Sequence, residues 1–265
     1  MKAAAVNLSD IAAMGGQPTA TFLSLGLPRD LPVSYVDEFY RGIGETLSRH
    51  GAFLAGGDTN VSDGRIVVNV TQLGNAPYGA AALRSGARVG DVVLVTGAVG
   101  AAAGGLALLE ALGREAAESI APDAVQVQLR PTPRLAEGIA AVAHGGVTAM
   151  MDLSDGLVGD LEKLCRASGV GALIDTALLP VAPSASAAAR RMGLDPLTLA
   201  LRGGEDYELL LTCRAEDREG IRAAIIACGT AATVVGIVTD GPGIVYRDAT
   251  GAEFAPPASW DHFAA

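Results

Sequence analysis

Residues 147–169 pass through three kinds of local sequence in quick succession, and this narrows the folds open to the chain. Val147 to Met151 is an apolar run of strand length. Asp152, Leu153, Ser154, Asp155 and Gly156 follow as a turn. Leu157, Leu161 and Leu164, spaced i, i+4, i+7, mark one face of a helix that stops at Gly169. A buried strand turning straight into an amphipathic helix belongs to a layered structure of sheet and helix. The turn between them carries two carboxylates and a hydroxyl beside a helix N-terminus, where free N–H groups and a partial positive charge favour anions. A phosphate could sit there, with aspartates holding Mg²⁺ against it. Ser and Asp are also ordinary N-cap residues, and the turn taken alone fits a simple capped helix better.

The rest of the chain uses the same grammar of short apolar runs, acid-bearing turns and helices. Asn7-Leu8-Ser9-Asp10 leads into a short helix at 11–14, with Ser9 or Asp10 as its cap. A strand is expected at 19–27. Pro32 fits position N1 of a helix whose buried stripe is Val33, Val36, Phe39, Tyr40, Ile43 and Leu47. A strand at 53–55 then runs into Gly56-Gly57-Asp58-Thr59-Asn60, where two glycines let the backbone approach a ligand, or where the chain simply makes a hairpin turn. Another strand is expected at 66–73, and residues 75–82 read as a linker between two units. Beyond it, strands are expected at 92–96, 172–175, 209–213 and 233–238. Helices are expected at 101–112, 133–143, 182–192 and 196–201, with one more marked by Ile221, Ala224, Ile225 and Cys228. The glycines at 97, 100, 104 and 105 do not fit G-x-G-x-x-G, which excludes a dinucleotide-binding turn there. Gly203-Gly204-Glu205-Asp206 echoes Gly56-Gly57-Asp58 as a turn that places acids at a strand end. The class expected is α/β (α+β), with a β-rich N-terminal domain at 1–78 and a two-layer α/β domain at 83–265.

Composition bounds what such a chain can bind. Half of its 265 residues are apolar and only 18% are charged, so burying a core presents no difficulty. The net charge of −10, from 19 basic and 29 acidic residues, argues against nucleic acid or an anionic membrane as a partner. It does not argue against phosphate, because a metal ion can bridge acids to it. Cys165, Cys213 and Cys228 show no CxxC spacing, and two of them fall on expected core faces, as buried thiols in a reducing compartment would. No apolar run reaches membrane-spanning length, and Asn7, Ser9 and Asp10 interrupt the apolar N-terminus too early for a signal peptide. A cytoplasmic, soluble protein is expected.

Taken together, six segments form a pattern: Asn7-Leu8-Ser9-Asp10, Gly56-Gly57-Asp58-Thr59, Arg84-Ser85-Gly86-Ala87, Met151 to Leu157, Gly203 to Leu209, and Trp260-Asp261-His262-Phe263. In this order and spacing the chain closely resembles the thiamine-monophosphate kinase family, from the superfamily of aminoimidazole ribonucleotide synthetase, selenophosphate synthetase and hydrogenase maturation protein E. The resemblance implies ATP-dependent phosphorylation of thiamine monophosphate to thiamine diphosphate with Mg²⁺. It also implies a two-domain subunit that forms a homodimer through its N-terminal domains, which bind the nucleotide. Carried over by motif, Asp10, Asp58, Asp152 and Asp155 would bind Mg²⁺. Gly57, Asp58, Arg84 and Ser154 would contact ATP, and Glu205 and Trp260 would contact thiamine monophosphate. These residue types suit the reaction. Phosphoryl transfer needs positioning and charge neutralisation, Arg84 offers a bidentate phosphate contact, and Trp260 offers a ring face to a cationic thiazolium. An anionic phosphate nucleophile requires no general base.

One departure stands out. The family carries a further segment before Asn7, with a Gly-Asp-Asp-Ala turn and additional metal ligands, which this sequence does not contain. The sequence therefore reads as a fragment, a misassigned start or a shortened variant. An impaired kinase is expected, with an uncovered sheet edge on the strands at 19–27 and 66–73. Two rival readings remain: a non-catalytic remnant that binds nucleotide or thiamine phosphate, and another ATP-dependent enzyme of the same superfamily.

Overall fold

The computed structural model describes residues 1–77 and 79–258. In chain order the elements are α1 (Lys2–Ala13), β1 (Gln17–Leu27), α2 (Val33–Arg49), β2 (Phe53–Val61), β3 (Val67–Asn75), β4 (Val92–Thr96), α3 (Ala101–Leu112), α4 (Arg114–Ile120) and α5 (Pro122–Leu129). They continue as α6 (Leu135–His144), β5 (Val147–Asp152), α7 (Leu157–Ser168), β6 (Gly171–Asp175), a 3₁₀ turn (Thr176–Leu178), α8 (Pro183–Met192) and α9 (Pro196–Arg202). The last are β7 (Leu209–Cys213), α10 (Arg218–Ala227), β8 (Ala232–Thr239), β9 (Ile244–Arg247) and β10 (Glu253–Phe254). The strands form two sheets, ordered β2-β1-β3 and β10-β9-β6-β8-β4-β7-β5. All pairs are antiparallel except β1 with β2 and β6 with β9.

The central strands of the large sheet read as unbroken apolar runs because both faces are covered. Successive side chains of a strand point to opposite faces. Val93 and Val95 of β4 join a core with Met151, Leu157, Leu161 and Leu164, while Val92 and Leu94 join another with Met150, Leu209 and Leu211. α7 lies over the first face. α6 and α10 cover the second through Leu135, Ala141, Ile221 and Ile225. The two layers expected for this domain are found at the β6–β9 end, where Ile237 and Val245 stay exposed. At the β4-β7-β5 end α6 and α10 add a third layer.

The small sheet is tied to the large one by a shared core. Ala4, Leu8 and Ala12 of α1, Leu23 of β1, and Ile43 and Leu47 of α2 lie in the same cluster as Met150 and Leu209. Thr21, Leu23 and Leu25 of β1 are buried, whereas Phe22 on the opposite face is exposed. Among the described residues no helix is long and apolar enough to cross a membrane.

Several local expectations change. α1 begins at Lys2, so Ser9 and Asp10 lie inside its last turns and cap nothing. Pro32 occupies the N-cap position and Val33 is exposed. Residues 56–60 make no turn, because β2 runs through them as a strand parallel to β1. β1 is the central strand of its sheet and has no free edge; β2 and β3 are the edges. α4 and α5 were not foreseen: they are seven and eight residues long, and the kink at Ala121 breaks any helical period.

Gly57 explains how β2 sits so close to β1. A Cβ built there would lie 1.8 Å from the Leu23 carbonyl oxygen. Gly44, in α2, has nothing within 4 Å of the corresponding position. Gly57→Ala is therefore expected to lower the melting temperature, and Gly44→Ala to raise stability by roughly 0.5–1 kcal/mol through helix propensity. Thermal and urea unfolding of the two variants side by side checks the opposite signs.

Candidate active site

The site begins where β5 and β7 end. Asp152 pairs with Leu209 in the ladder, and the pairing continues past both strands as backbone bonds. Leu153 N donates to Glu208 O at 2.8 Å, Tyr207 N to Leu153 O at 3.0 Å, and Glu205 N to Ser154 O at 2.9 Å. The two acid-bearing turns singled out in the sequence are thereby laid against each other. Following this path puts Glu205 (φ 69°) and Tyr207 (φ 53°) in the left-handed region, a strain of about 1–2 kcal/mol for each non-glycine residue. Gly156, the N-cap of α7, has φ 94°, and a Cβ there would lie 2.6 Å from the Arg202 carbonyl oxygen. No side chain fits between α9 and the start of α7.

α1 adds residues from the other unit. Ser9 Oγ donates to Asp152 Oδ2 at 2.6 Å, and both residues are buried. Burial pushes the Asp152 carboxyl up to about 6; the negative charges of Asp10 and Asp160 add to this, and the Ser9 hydroxyl partly opposes it. Burial also holds the Asp10 carboxyl above the ordinary range, against the positive charge of Arg84. Asp10 thus interacts with both Asp152 and Arg84 across the junction of the two units. Two carboxylates that repel each other, one buried and one partly desolvated, are a donor set suited to a hard divalent cation.

Behind this pair, Asp160 organises the turn. It is fully buried, and its Oδ2 accepts from Ser154 N at 2.8 Å and Asp155 N at 2.9 Å. Lys163 donates to Asp160 Oδ1 at 2.8 Å and also pairs with Asp155. The expectation of Ser or Asp as the helix cap is therefore replaced by a carboxylate four residues inside the helix. Asp206 does a similar job for α3, accepting from Gly100 N at 2.6 Å and Ala102 N at 2.9 Å. Glu208 takes Thr96 Oγ1 at 2.7 Å and a two-pronged contact from Arg134 at 2.8 and 2.5 Å. Ser9's bond to Asp152, Asp160, Lys163 and Arg134 escaped the sequence reading. Asp160 alone left a signal, as an acid on the Leu157/Leu161/Leu164 side of α7.

The structure brings Asp10, Arg84 and Asp152 together and sets Ser154, Asp155 and Glu205 beside them. It leaves Gly57 and Asp58 elsewhere. Asp58 pairs with Ser24 across β1–β2, on the open face with Phe22, and accepts from Thr59 N at 2.9 Å and Asn60 Nδ2 at 2.6 Å. Among the described residues no three His, Cys, Asp or Glu side chains converge closely enough to hold a metal ion by themselves. Trp260 lies outside the described residues.

Comparison with known proteins gives this geometry a context. Residues 1–76 match the N-terminal domain model of the AIR synthase related proteins, and residues 88–248 match the C-terminal one. The thiamine-monophosphate kinase of Escherichia coli K12 is 38% identical over 241 residues, covering 90% of this chain and 71% of that protein. The chain belongs to the AIR synthase related family, among the thiamine-monophosphate kinases. The Aquifex aeolicus thiamine-monophosphate kinase is 36% identical over 264 residues, with 99% of this chain and 80% of that protein covered. Among solved structures, AaThiL complexed with AMPPCP and TMP superposes with a TM-score of 0.83 at 35% identity, covering 97% of this chain and 78% of that one. The thiamine-monophosphate kinase of Stenotrophomonas maltophilia K279a gives 0.82 at 34% identity, covering 91% and 76%. E. coli HypE, a hydrogenase maturation protein, gives 0.81 at 21% identity over 97% of this chain and 78% of its own, and shares the fold alone.

In this family member, Asp206 carries a testable pH signature. Burial pushes its carboxyl up to about 7, with the two backbone N–H groups opposing. A raised native pKa favours the folded state most at acid pH, and that contribution is lost as pH rises through the native value. The stability of the wild type relative to Asp206→Asn is therefore expected to fall between about pH 4, the ordinary carboxyl range of the unfolded chain, and about pH 7, the native value. Urea unfolding of both proteins across that range measures it. A gap that is constant or widens with pH contradicts the assignment.

Proposed function

We propose that the chain transfers the γ-phosphoryl group of ATP to thiamine monophosphate, giving thiamine diphosphate and ADP. The observation that carries this reading is the pair of carboxylates, buried Asp152 and the more open Asp10, held near Arg84 where the two units meet. Such a pair repels bare anions, so a phosphate ligand there calls for a cation. Asp10 and Asp152, with Asp155 next to them, would hold Mg²⁺, which when bound neutralises the charge of two phosphorylated substrates. Asp58 would join them only through a movement of β2 or through a second copy of the chain.

The protein's own groups position the reactants. Arg84 presents a planar fork to phosphate oxygens, and the Ser154 hydroxyl lies in a turn whose backbone Asp160 fixes. Gly57 and Asp58 complete the proposed nucleotide contacts, and Glu205 and Trp260 the acceptor contacts. Ser9 holds the Asp152 carboxylate in one orientation. The acceptor's phosphate oxygen is already anionic, so no residue has to remove a proton from it. The AMPPCP and TMP in the AaThiL complex support this choice of substrates.

The domain limits proposed are 1–78 and 83–265. A homodimer through the small sheet is supported by its open face, where Phe22, Val67 and Leu73 are 41%, 55% and 48% exposed. The absence of an apolar spanning helix among the described residues is in keeping with a cytoplasmic location.

The test is a chromatographic assay for thiamine diphosphate with ATP, Mg²⁺ and thiamine monophosphate. Turnover in the wild type and a loss of at least about 100-fold in Asp152→Asn, equivalent to about 2.7 kcal/mol of barrier, are expected. Binding of both ligands without turnover would reject the kinase reading in favour of a binding protein.

A further inference from the structure

Two separate energetic burdens converge on the Glu205 carboxylate. Its backbone is left-handed, at φ 69°. Its Oε2 accepts from Gln128 Nε2 at 2.9 Å, and Gln128, a buried residue of α5, leaves its own Oε1 without a hydrogen-bond partner. Orphaned buried acceptors and non-glycine residues in the left-handed region persist where the surroundings fix a group for a purpose. Glu205 Oε1 has a third kind of neighbour, the ammonium of Lys2 at 2.9 Å, reaching over from α1. Gln128 is a neutral donor clamped in place. Lys2 is a charged donor on a flexible stem, and both ends of its ion pair are open to solvent, at 28% and 37% of their side-chain surface. A partly exposed pair of this kind is weak and exchangeable.

We infer that Lys2 is an acceptor-recognition residue that holds Glu205 until the acceptor binds and turns to the acceptor's phosphate when a cationic ring takes its place. This rests on the reading of Glu205 as an acceptor contact. An acceptor that carries a cationic ring and a phosphate monoester matches an ion pair at both ends: the ring replaces the ammonium at Glu205, and the released ammonium gains a phosphate oxygen. Gln128 keeps the carboxylate in position through the exchange. Lys2 and Ser9 are seven residues apart, two turns on one stripe of α1, about 10 Å along its axis. The helix that touches the acceptor end through Lys2 therefore also touches Asp152 through Ser9.

The exchange makes a signed prediction. For the wild type, calorimetry with AMPPCP and Mg²⁺ present should show thiamine monophosphate binding much more tightly than unphosphorylated thiamine. Lys2→Met should weaken thiamine monophosphate at least tenfold while leaving thiamine unchanged or tighter, because the competing ammonium is gone. Lys2→Arg should recover most of the loss, and the ATP KM should stay within twofold in both variants. A purely structural role would weaken both ligands together, and that result overturns the proposal, as does unchanged thiamine monophosphate affinity in Lys2→Met. A wild type that binds neither ligand overturns the acceptor reading of Glu205 and this inference with it. Wild-type turnover of thiamine monophosphate with an indifferent Lys2→Met overturns the inference alone.

Discussion

The register of β5 against β7 is the constraint from which the site follows. Both strands are buried on both faces, through Met150 and Met151 on one and Leu209 and Leu210 on the other, so a slip of one residue would send large side chains into the wrong core. With Asp152 opposite Leu209, the chain leaving β5 has to run beside the chain entering β7. The backbone bonds from Leu153, Glu205 and Tyr207 then satisfy groups that would otherwise be buried without partners. Left-handed backbone at Glu205 and Tyr207 is the local strain this path accepts. Two turns 50 residues apart in sequence thereby become one surface (Asp155 and Glu205).

α1 depends on that surface and completes it. Leu8 and Ala12 seat the helix in the core beneath β5 and β7, and Ser9, next to Leu8, meets Asp152 as a result. Apolar packing of the small unit thus fixes the distance between charges that belong to different units. The desolvation that raises Asp152 to about 6 comes from the same packing. A fold stabilised by burying Leu8 also builds a pair of carboxylates short of positive charge, and Arg84 relieves that shortage only in part.

How much of this was legible in the sequence differs by element. β4, α3 and β7 fall on the expected residues because each is a short unbroken apolar or Ala-rich run bounded by glycine or by charged residues. Asp152, Asp155 and Glu205 could be recognised because turn residues and the strand–helix period mark where chains change direction. The partners that hold them could not. Ser9 meets Asp152 across 143 positions, and Lys2 meets Glu205 across 203. Such contacts are decided by how helices seat on a sheet, which no local period encodes. The 56–60 stretch misled for a related reason. Gly-Gly-Asp favours a turn locally, yet parallel pairing with β1 drew it into a strand, with Gly57 permitting the close approach.

Both acid turns form one hydrogen-bonded extension of the β5–β7 ladder. Hydrogen exchange of the native protein, resolved to single amides, tests it most directly. Leu153, Glu205 and Tyr207 lie outside the regular strands, yet their amides should exchange as slowly as those of Met151 and Leu210 within them. Exchange at the rate of the exposed turn at Gly251, orders of magnitude faster than the ladder, would mean that the turns are separate mobile loops and would contradict the account.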